Sequence, residues 1–127
     1  MELLELAVGA EPDEHVDYKL LVAEVDGALA GYVLYGPTPM TEATFDLYWI
    51  ASDPAFRGKG AGSRLVVAME AEVLRRGGCQ VRIETSSLGE YAATRAFYDR
   101  HRYHEASRLP DFYKAGDDLV TLYKRLR

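Results

Sequence analysis

The sequence predicts an α/β domain (α+β in segregation) built on a mixed, mostly antiparallel sheet of about six strands flanked by helices. Three observations carry this. "YKLLVAEV" and "ALAGYVLYG" alternate apolar with small or polar residues and are joined by Asp26-Gly27, the dipeptide of a two-residue hairpin turn. A glycine-rich stretch, "RGKGAG", runs directly into apolar residues spaced at 3.6. A further strand pattern, "CQVRIETS", is then separated by a second helical stretch from two strands near 103–109 and 118–125.

Taken in order, "ELLELAV" (2–8) puts Leu3, Leu4, Ala7 and Val8 on one helical stripe and stops at Gly9, which predicts a short amphipathic helix. The hairpin follows. "ATFDLYWIAS" is rich in aromatic and β-branched residues and is stopped by Asp53-Pro54, so it reads as a third strand over 45–52. From Gly62, the residues Leu65, Val66, Met69, Val73 and Leu74 recur at helical spacing, and Arg75, Arg76 and Gly77-Gly78 close the helix. A fourth strand spans 79–86, and "YAATRAFYDRH" reads as a shorter helix with Phe97 turned inward. Helix, three strands, helix, strand, helix and two strands make one domain over 1–127.

A chain of 127 residues holds one core, and 48% hydrophobic with 28% charged residues is an ordinary globular balance. No apolar run approaches the ~18–20 residues of a membrane span, and the opening residues lack the basic and long apolar regions of a secretory leader. The expectation is a cytoplasmic protein with no membrane partner. A net charge of -5 argues against nucleic acid as a partner. The single cysteine, Cys79, falls in an alternating strand pattern and is expected to be a buried structural thiol. His15, His101 and His104 have no accompanying donors at ligand spacing, so no metal is expected.

Three glycines in five residues cost backbone entropy, so something besides stability requires them. "RGKGAG" lacks the Ser or Thr that follows Gly-Lys in a nucleotide-triphosphate loop, and its Gly-x-Gly-x-Gly spacing departs from the dinucleotide fingerprint. A plain flexible turn is the remaining alternative. Backbone amides converging at a helix N-terminus favour an anion, and Arg57 and Lys59 add charge, so the loop suits holding a diphosphate still.

Arg57-x-x-Gly60-x-Gly62, two residues after "DPA" and at the mouth of a long helix, resembles the acetyl-CoA motif of the GNAT superfamily of N-acetyltransferases. "TRAFYDRHRY" is similar to the superfamily's fourth-helix motif, and "LPDFYKAGDDLVTLYKRL" to its closing hairpin, so the resemblance covers roughly residues 19–127. It implies acetyl-CoA as cosubstrate, lodged between splayed strands 45–52 and 79–86. Backbone groups of Ile50, Ala51 and Ser52 would bond the pantetheine arm. The amides of Gly58, Lys59, Gly60, Ala61, Gly62 and Ser63 would hold the pyrophosphate, with Arg57 lining the loop.

Acetyl transfer to an amine needs a neutral amine, a polarised thioester carbonyl and a proton for the departing thiolate. Tyr98 stands at the motif's tyrosine, where the resemblance implies protonation of the sulfur; a phenol, with pKa ~10, is protonated at neutral pH and can donate. A buried structural tyrosine beside Phe97 is the alternative. The N–H of Ile50 would polarise the thioester oxygen. For the amine proton, Asp46 lies two strand periods before Ile50 on the same face, and Glu84 faces oppositely to Cys79, Val81 and Ile83; either is a candidate base, or a solvated or ion-paired carboxylate. Tyr32, Tyr35, Tyr48, Trp49, Phe112 and Tyr113 lie near the expected acceptor side, and Asp111, Asp117 and Asp118 either attract a cation or form turns. The acceptor is a primary amine of a small molecule or peptide, and direct transfer in a ternary complex is expected. A non-catalytic CoA-binding or oligomerisation module is the alternative.

The superfamily usually opens with a strand and one or two helices, whereas about 18 residues precede "YKLLVAEV" here. Reading 2–9 as the end of the second helix leaves the first strand and first helix absent. An uncovered sheet edge then predicts a homodimer. Arg102 stands where the fourth-helix motif commonly has glycine, which puts strain at the helix end, at His101.

Overall fold

The computed structural model describes residues 2–7, 17–56, 58 and 60–127. Seven strands and two α-helices follow in the order β1 (Glu2–Ala7), β2 (Lys19–Val25), β3 (Ala28–Pro37), β4 (Thr44–Ser52), α1 (Ala61–Arg75), β5 (Gln80–Ser86), α2 (Ala92–Arg100), β6 (His104–Lys114) and β7 (Asp117–Arg125). They fall into two compact units, Met1–Val81 with Leu126–Arg127, and Arg82–Arg125.

In the first unit β1, β2, β3 and β4 pair in sequence order, each antiparallel to its neighbour. Asp26 (φ 51) and Gly27 (φ 81) form the hairpin turn that the Asp-Gly pair predicts. One sheet face carries Leu21, Ala23, Val33, Tyr35 and Leu47, all buried. Helix α1 covers that face: a Cβ on Gly31 would lie 3.3 Å from a Leu65 methyl and only 2.7 Å from the Ala51 carbonyl oxygen, so the backbones meet where there is no side chain. The buried side of α1 is Ala61, Leu65, Val66, Met69 and Val73, which matches the periodicity in the sequence except at Leu74, which is exposed.

The second unit holds Arg82–Ser86 of β5, helix α2 and the β6–β7 hairpin. Within it β7 lies between β5 and β6. Every residue of β6 is exposed. Two register shifts interrupt its pairing with β7, one at Ala106 and one across Pro110–Tyr113. Bulges and a proline are features that blunt an exposed edge against pairing with another chain.

Four expectations are corrected. Residues 2–7 form strand β1, not a helix; Leu4 pairs with Val22 and Leu6 with Leu20, and this pairing overrides a six-residue helical pattern. Val8 and Gly9, the rest of that prediction, lie outside the described residues. A strand therefore does precede the hairpin, and the number of strands rises from about six to seven among the described residues. Cys79 is half-buried and precedes β5, its N–H donating to the Ala43 carbonyl at 2.8 Å and its carbonyl accepting from Leu126 N–H at 2.8 Å. Phe97 is only half-buried, because the inward side of α2 belongs to Tyr98.

The fourth correction concerns the end of α2. His101 is ordinary (φ -89), and the left-handed residue is Arg102 (φ 69). Arg102 N–H donates to the Asp99 carbonyl at 2.9 Å and Tyr103 N–H to the Tyr98 carbonyl at 3.0 Å, which closes a Schellman motif. The Tyr98 and Tyr103 rings meet edge-on at 5.9 Å, the apolar contact that accompanies such a cap. The same motif ends α1 with Gly77 (φ 85) at the left-handed position. A Cβ at that position costs about 1 kcal/mol, so Arg102→Gly is expected to raise stability by that amount. A higher urea midpoint at unchanged slope is the measurement that checks it.

Candidate functional site

The glycine loop is built by backbone conformation. Gly58 (φ 82) and Gly60 (φ 74) are both left-handed, and a Cβ on either would meet no atom within 4 Å. Glycine is needed there for its dihedral angles and not for close approach. Gly60 is the N-cap of α1 and has no side chain with which to cap the first-turn amides of Ala61, Gly62 and Ser63. Its carbonyl accepts the first helical bond, from Arg64 N–H at 3.0 Å. The positive end of a 15-residue helix is thus presented by a loop without bulky side chains at Gly58, Gly60 and Gly62. Arg57 and Lys59 lie outside the described residues.

Upstream, β4 ends in Ile50, Ala51 and Ser52, paired with Val33, Tyr32 and Gly31 of β3. Asp53 caps the turn that follows, its carboxylate accepting from Ala55 N–H at 2.8 Å. The register slips within β4: Trp49 pairs with Leu34 but Leu47 with Tyr35, so Tyr48 is an extra residue in a bulge. This overturns the expectation that Asp46 and Ile50 share a face. Leu47 and Ile50 line the α1 side together with Tyr35 and Val33, while Asp46 shares the other side with Trp49 and Ala51.

Asp46 is 5% exposed, a buried carboxylate. It stands opposite Gly36, where a Cβ would lie 2.1 Å from the Asp17 carbonyl oxygen, so the Asp17–Tyr18 backbone passes directly over this part of the sheet. Tyr18 packs edge-on against Tyr48 at 5.2 Å. Trp49, on the Asp46 side, is 60% exposed.

Glu84 and Tyr98 belong to the second unit. Glu84 is exposed and ion-paired with Arg82 at 3.8 Å. Tyr98 is 4% exposed, and burial pushes its phenol up to about 12. A phenol that ionises near 10 in the unfolded chain and near 12 in the fold favours the fold fully below pH 10 relative to strong alkali. Stability falls from that level by roughly 3 kcal/mol as the pH rises from 10 to 12, because the buried ring resists ionising. Urea unfolding at pH 9 and pH ~12 should therefore show a larger alkaline loss in the wild type than in Tyr98→Phe.

The carboxylates after Pro110 serve the hairpin. Asp111 (φ 55) donates its N–H to Asp118 Oδ1 at 2.9 Å, and its carboxylate accepts from Gly116 N–H at 2.8 Å. Asp117 is buried and accepts from Ser86 Oγ, and Asp118 also faces Arg108 at 3.4 Å. Of the two roles open to these aspartates, the turn role is the one their bonds fulfil. The bulge they stiffen presents Phe112 and Tyr113, 53% and 49% exposed. Burial, then the Glu84 and Asp117 carboxylates and Tyr91, raise the Tyr113 phenol above its ordinary value.

Two residues that the sequence reading did not single out make specific contacts: in the first unit Tyr18 packs on the β4 bulge, and in the second Arg95, inside the fourth-helix stretch, donates its guanidinium to the Ser86 and Leu88 carbonyls. Among the described residues no group of three or more His, Cys, Asp or Glu could hold a metal, and no helix is long and apolar enough to cross a membrane.

Comparison with known proteins follows the same segments. A GNAT-family protein of known structure from Desulfovibrio desulfuricans is 40% identical, with a TM-score of 0.85 over 87% of this chain and 70% of its own. A structure of an aminoglycoside 6'-N-acetyltransferase complexed with coenzyme A shares the fold at 19% identity, with a TM-score of 0.76 over 87% of this chain and 73% of its own. The uncharacterized N-acetyltransferase MJ1530 of Methanocaldococcus jannaschii is 28% identical over 104 residues, 82% of this chain; the chain spans 64% of that relative's length. The family model of the acetyltransferase (GNAT) family matches residues 4–103, from β1 through the glycine loop to the cap of α2, and the chain belongs to that family.

Proposed function

We propose that the chain is an acetyl-CoA-dependent N-acetyltransferase that moves an acetyl group to a primary amine of a small molecule or peptide by direct transfer in a ternary complex. The observation that carries this reading is the left-handed Gly58 and Gly60 at the N-terminus of α1, inside the segment that matches the family. In this reading the amides from Gly58 to Ser63 hold the pyrophosphate, Arg57 and Lys59 add charge, and Ile50, Ala51 and Ser52 bond the pantetheine arm. The coenzyme A complex of the aminoglycoside enzyme supports the same choice of cosubstrate.

Tyr98 gives its proton to the departing thiolate; its raised pKa keeps the phenol protonated across the physiological range. The Ile50 N–H polarises the thioester oxygen. Asp46 is the base for the ammonium proton, favoured over Glu84 because it is buried, whereas Glu84 is exposed to solvent. No metal takes part, and the protein works in the cytoplasm without nucleic acid or membrane. It acts as a homodimer, because among the described residues β1 has β2 as its one strand neighbour. Light scattering that returned a monomer would remove the dimer from the proposal.

One observation favours a second reading, a non-catalytic CoA-binding or oligomerisation module. Residues 8–18 alone connect β1 to β2, where the family usually has helices that help form the acceptor site. Calorimetric titration of acetyl-CoA at low and moderate salt, followed by thiol release with a panel of amines, separates the two. Binding with turnover supports the enzyme, binding without turnover the module, and a folded protein that does not bind acetyl-CoA overturns both.

A further inference from the structure

The structure assigns Arg95 as the positioning residue for Tyr98, acting by tying α2 to the end of β5; the inference rests on the proposed role of Tyr98. Arg95 lies three residues before Tyr98 on a helix of nine residues. Its Nη1 donates to the carbonyl of Ser86 at 2.7 Å and to that of Leu88 at 2.9 Å. Both bonds are part-buried and charge-assisted, the class that contributes most per bond.

The anchor point is itself fixed. Ser86 Oγ donates to the buried Asp117 carboxylate and accepts from Leu88 N–H at 3.1 Å. Ser87 N–H donates to the Asp118 carbonyl at 3.1 Å, and Asp118 N–H returns a bond to Ser87 Oγ at 2.8 Å. Arg95 thus grips a turn that Ser86 and Ser87 already tie to β7.

Helix α2 needs such a grip. Nine residues are too few for a helix to hold itself, and its N-cap, Tyr91, makes no side-chain capping bond. The Schellman motif and the Tyr98–Tyr103 contact fix the C-terminal end. Arg95 fixes the other half, so the Tyr98 hydroxyl is located from both sides. A proton donor displaced by ~1 Å loses on the order of 100-fold in rate, so the tie governs turnover more than cosubstrate affinity.

The test is a double-mutant cycle in steady-state kinetics with acetyl-CoA and the best amine of the panel. It uses wild type, Arg95→Ala, Arg95→Lys, Tyr98→Phe and Arg95→Ala/Tyr98→Phe, each checked for cooperative unfolding. Arg95→Ala is expected to lower kcat by ~10–100-fold with the acetyl-CoA KM within about twofold. Arg95→Lys should recover part of the loss. In the Tyr98→Phe background the same change should cost less than about twofold, since the group it positions is gone. An equal loss in both backgrounds would show general damage and overturn the inference, as would unchanged kcat in Arg95→Ala. Unchanged kcat in Tyr98→Phe, or no turnover by wild type, would remove the role of Tyr98 and the inference with it.

Discussion

Tyr98→Phe is expected to lower kcat by ~10²–10⁴-fold, the range for loss of a positioned general acid, while leaving acetyl-CoA affinity within about twofold. The substitution deletes one oxygen from a buried ring and keeps the edge-on contact with Tyr103. Stability should hold or rise below pH 10, because burial already disfavours the phenol's charged form and the ring itself remains. Parallel calorimetry and kinetics check both halves. A fall in affinity as large as the fall in kcat would mean that Tyr98 is a packing residue whose removal deforms the cosubstrate site.

Gly60→Val is expected to weaken acetyl-CoA binding by at least ~30-fold, equivalent to losing about 2 kcal/mol of charge-assisted bonding. The cause is conformational. Gly60 sits at φ 74 with open space around it, so valine fits sterically but not at that backbone angle. Relieving the strain swings the peptide that leads into α1 and misaims the amides of Ala61, Gly62 and Ser63. S-acetyl-pantetheine, which lacks the pyrophosphate, is the control. Its affinity should change by less than about twofold, and an equal loss for both ligands would show that the loop does not read the diphosphate.

These two sites differ in how far the sequence disclosed them. Gly58 and Gly60 are legible because positive φ is a demand that glycine meets most readily, and α1 because apolar positions recur at helical spacing from Leu65 to Val73. Tyr98 was legible through the fourth-helix pattern, whereas its burial in place of Phe97 was not, since adjacent aromatics leave the helix phase ambiguous. "ELLELA" fits both a helix and a strand, and only the register against β2 decides. Arg102 broke the expected glycine, but whether His101 or Arg102 would take the left-handed angle depends on which carbonyl the chain returns to. Arg95 stands inside the fourth-helix stretch, but its role was not legible, because its partners are backbone carbonyls that any residue could supply.

The extra residue in β4 means that the candidate site tolerates a change in chain length at one point. Tyr48 is the residue that the pairing with β3 leaves out: with it removed, Leu47 still stands opposite Tyr35 and Asp46 opposite Gly36, and the strand alternates regularly into Trp49 and Ile50. The bulge therefore absorbs one inserted residue while Asp46 stays on its side of the sheet. A strand one residue shorter, with no bulge, presents the aspartate on that same side, although counting by twos along the longer sequence assigns it to the opposite one.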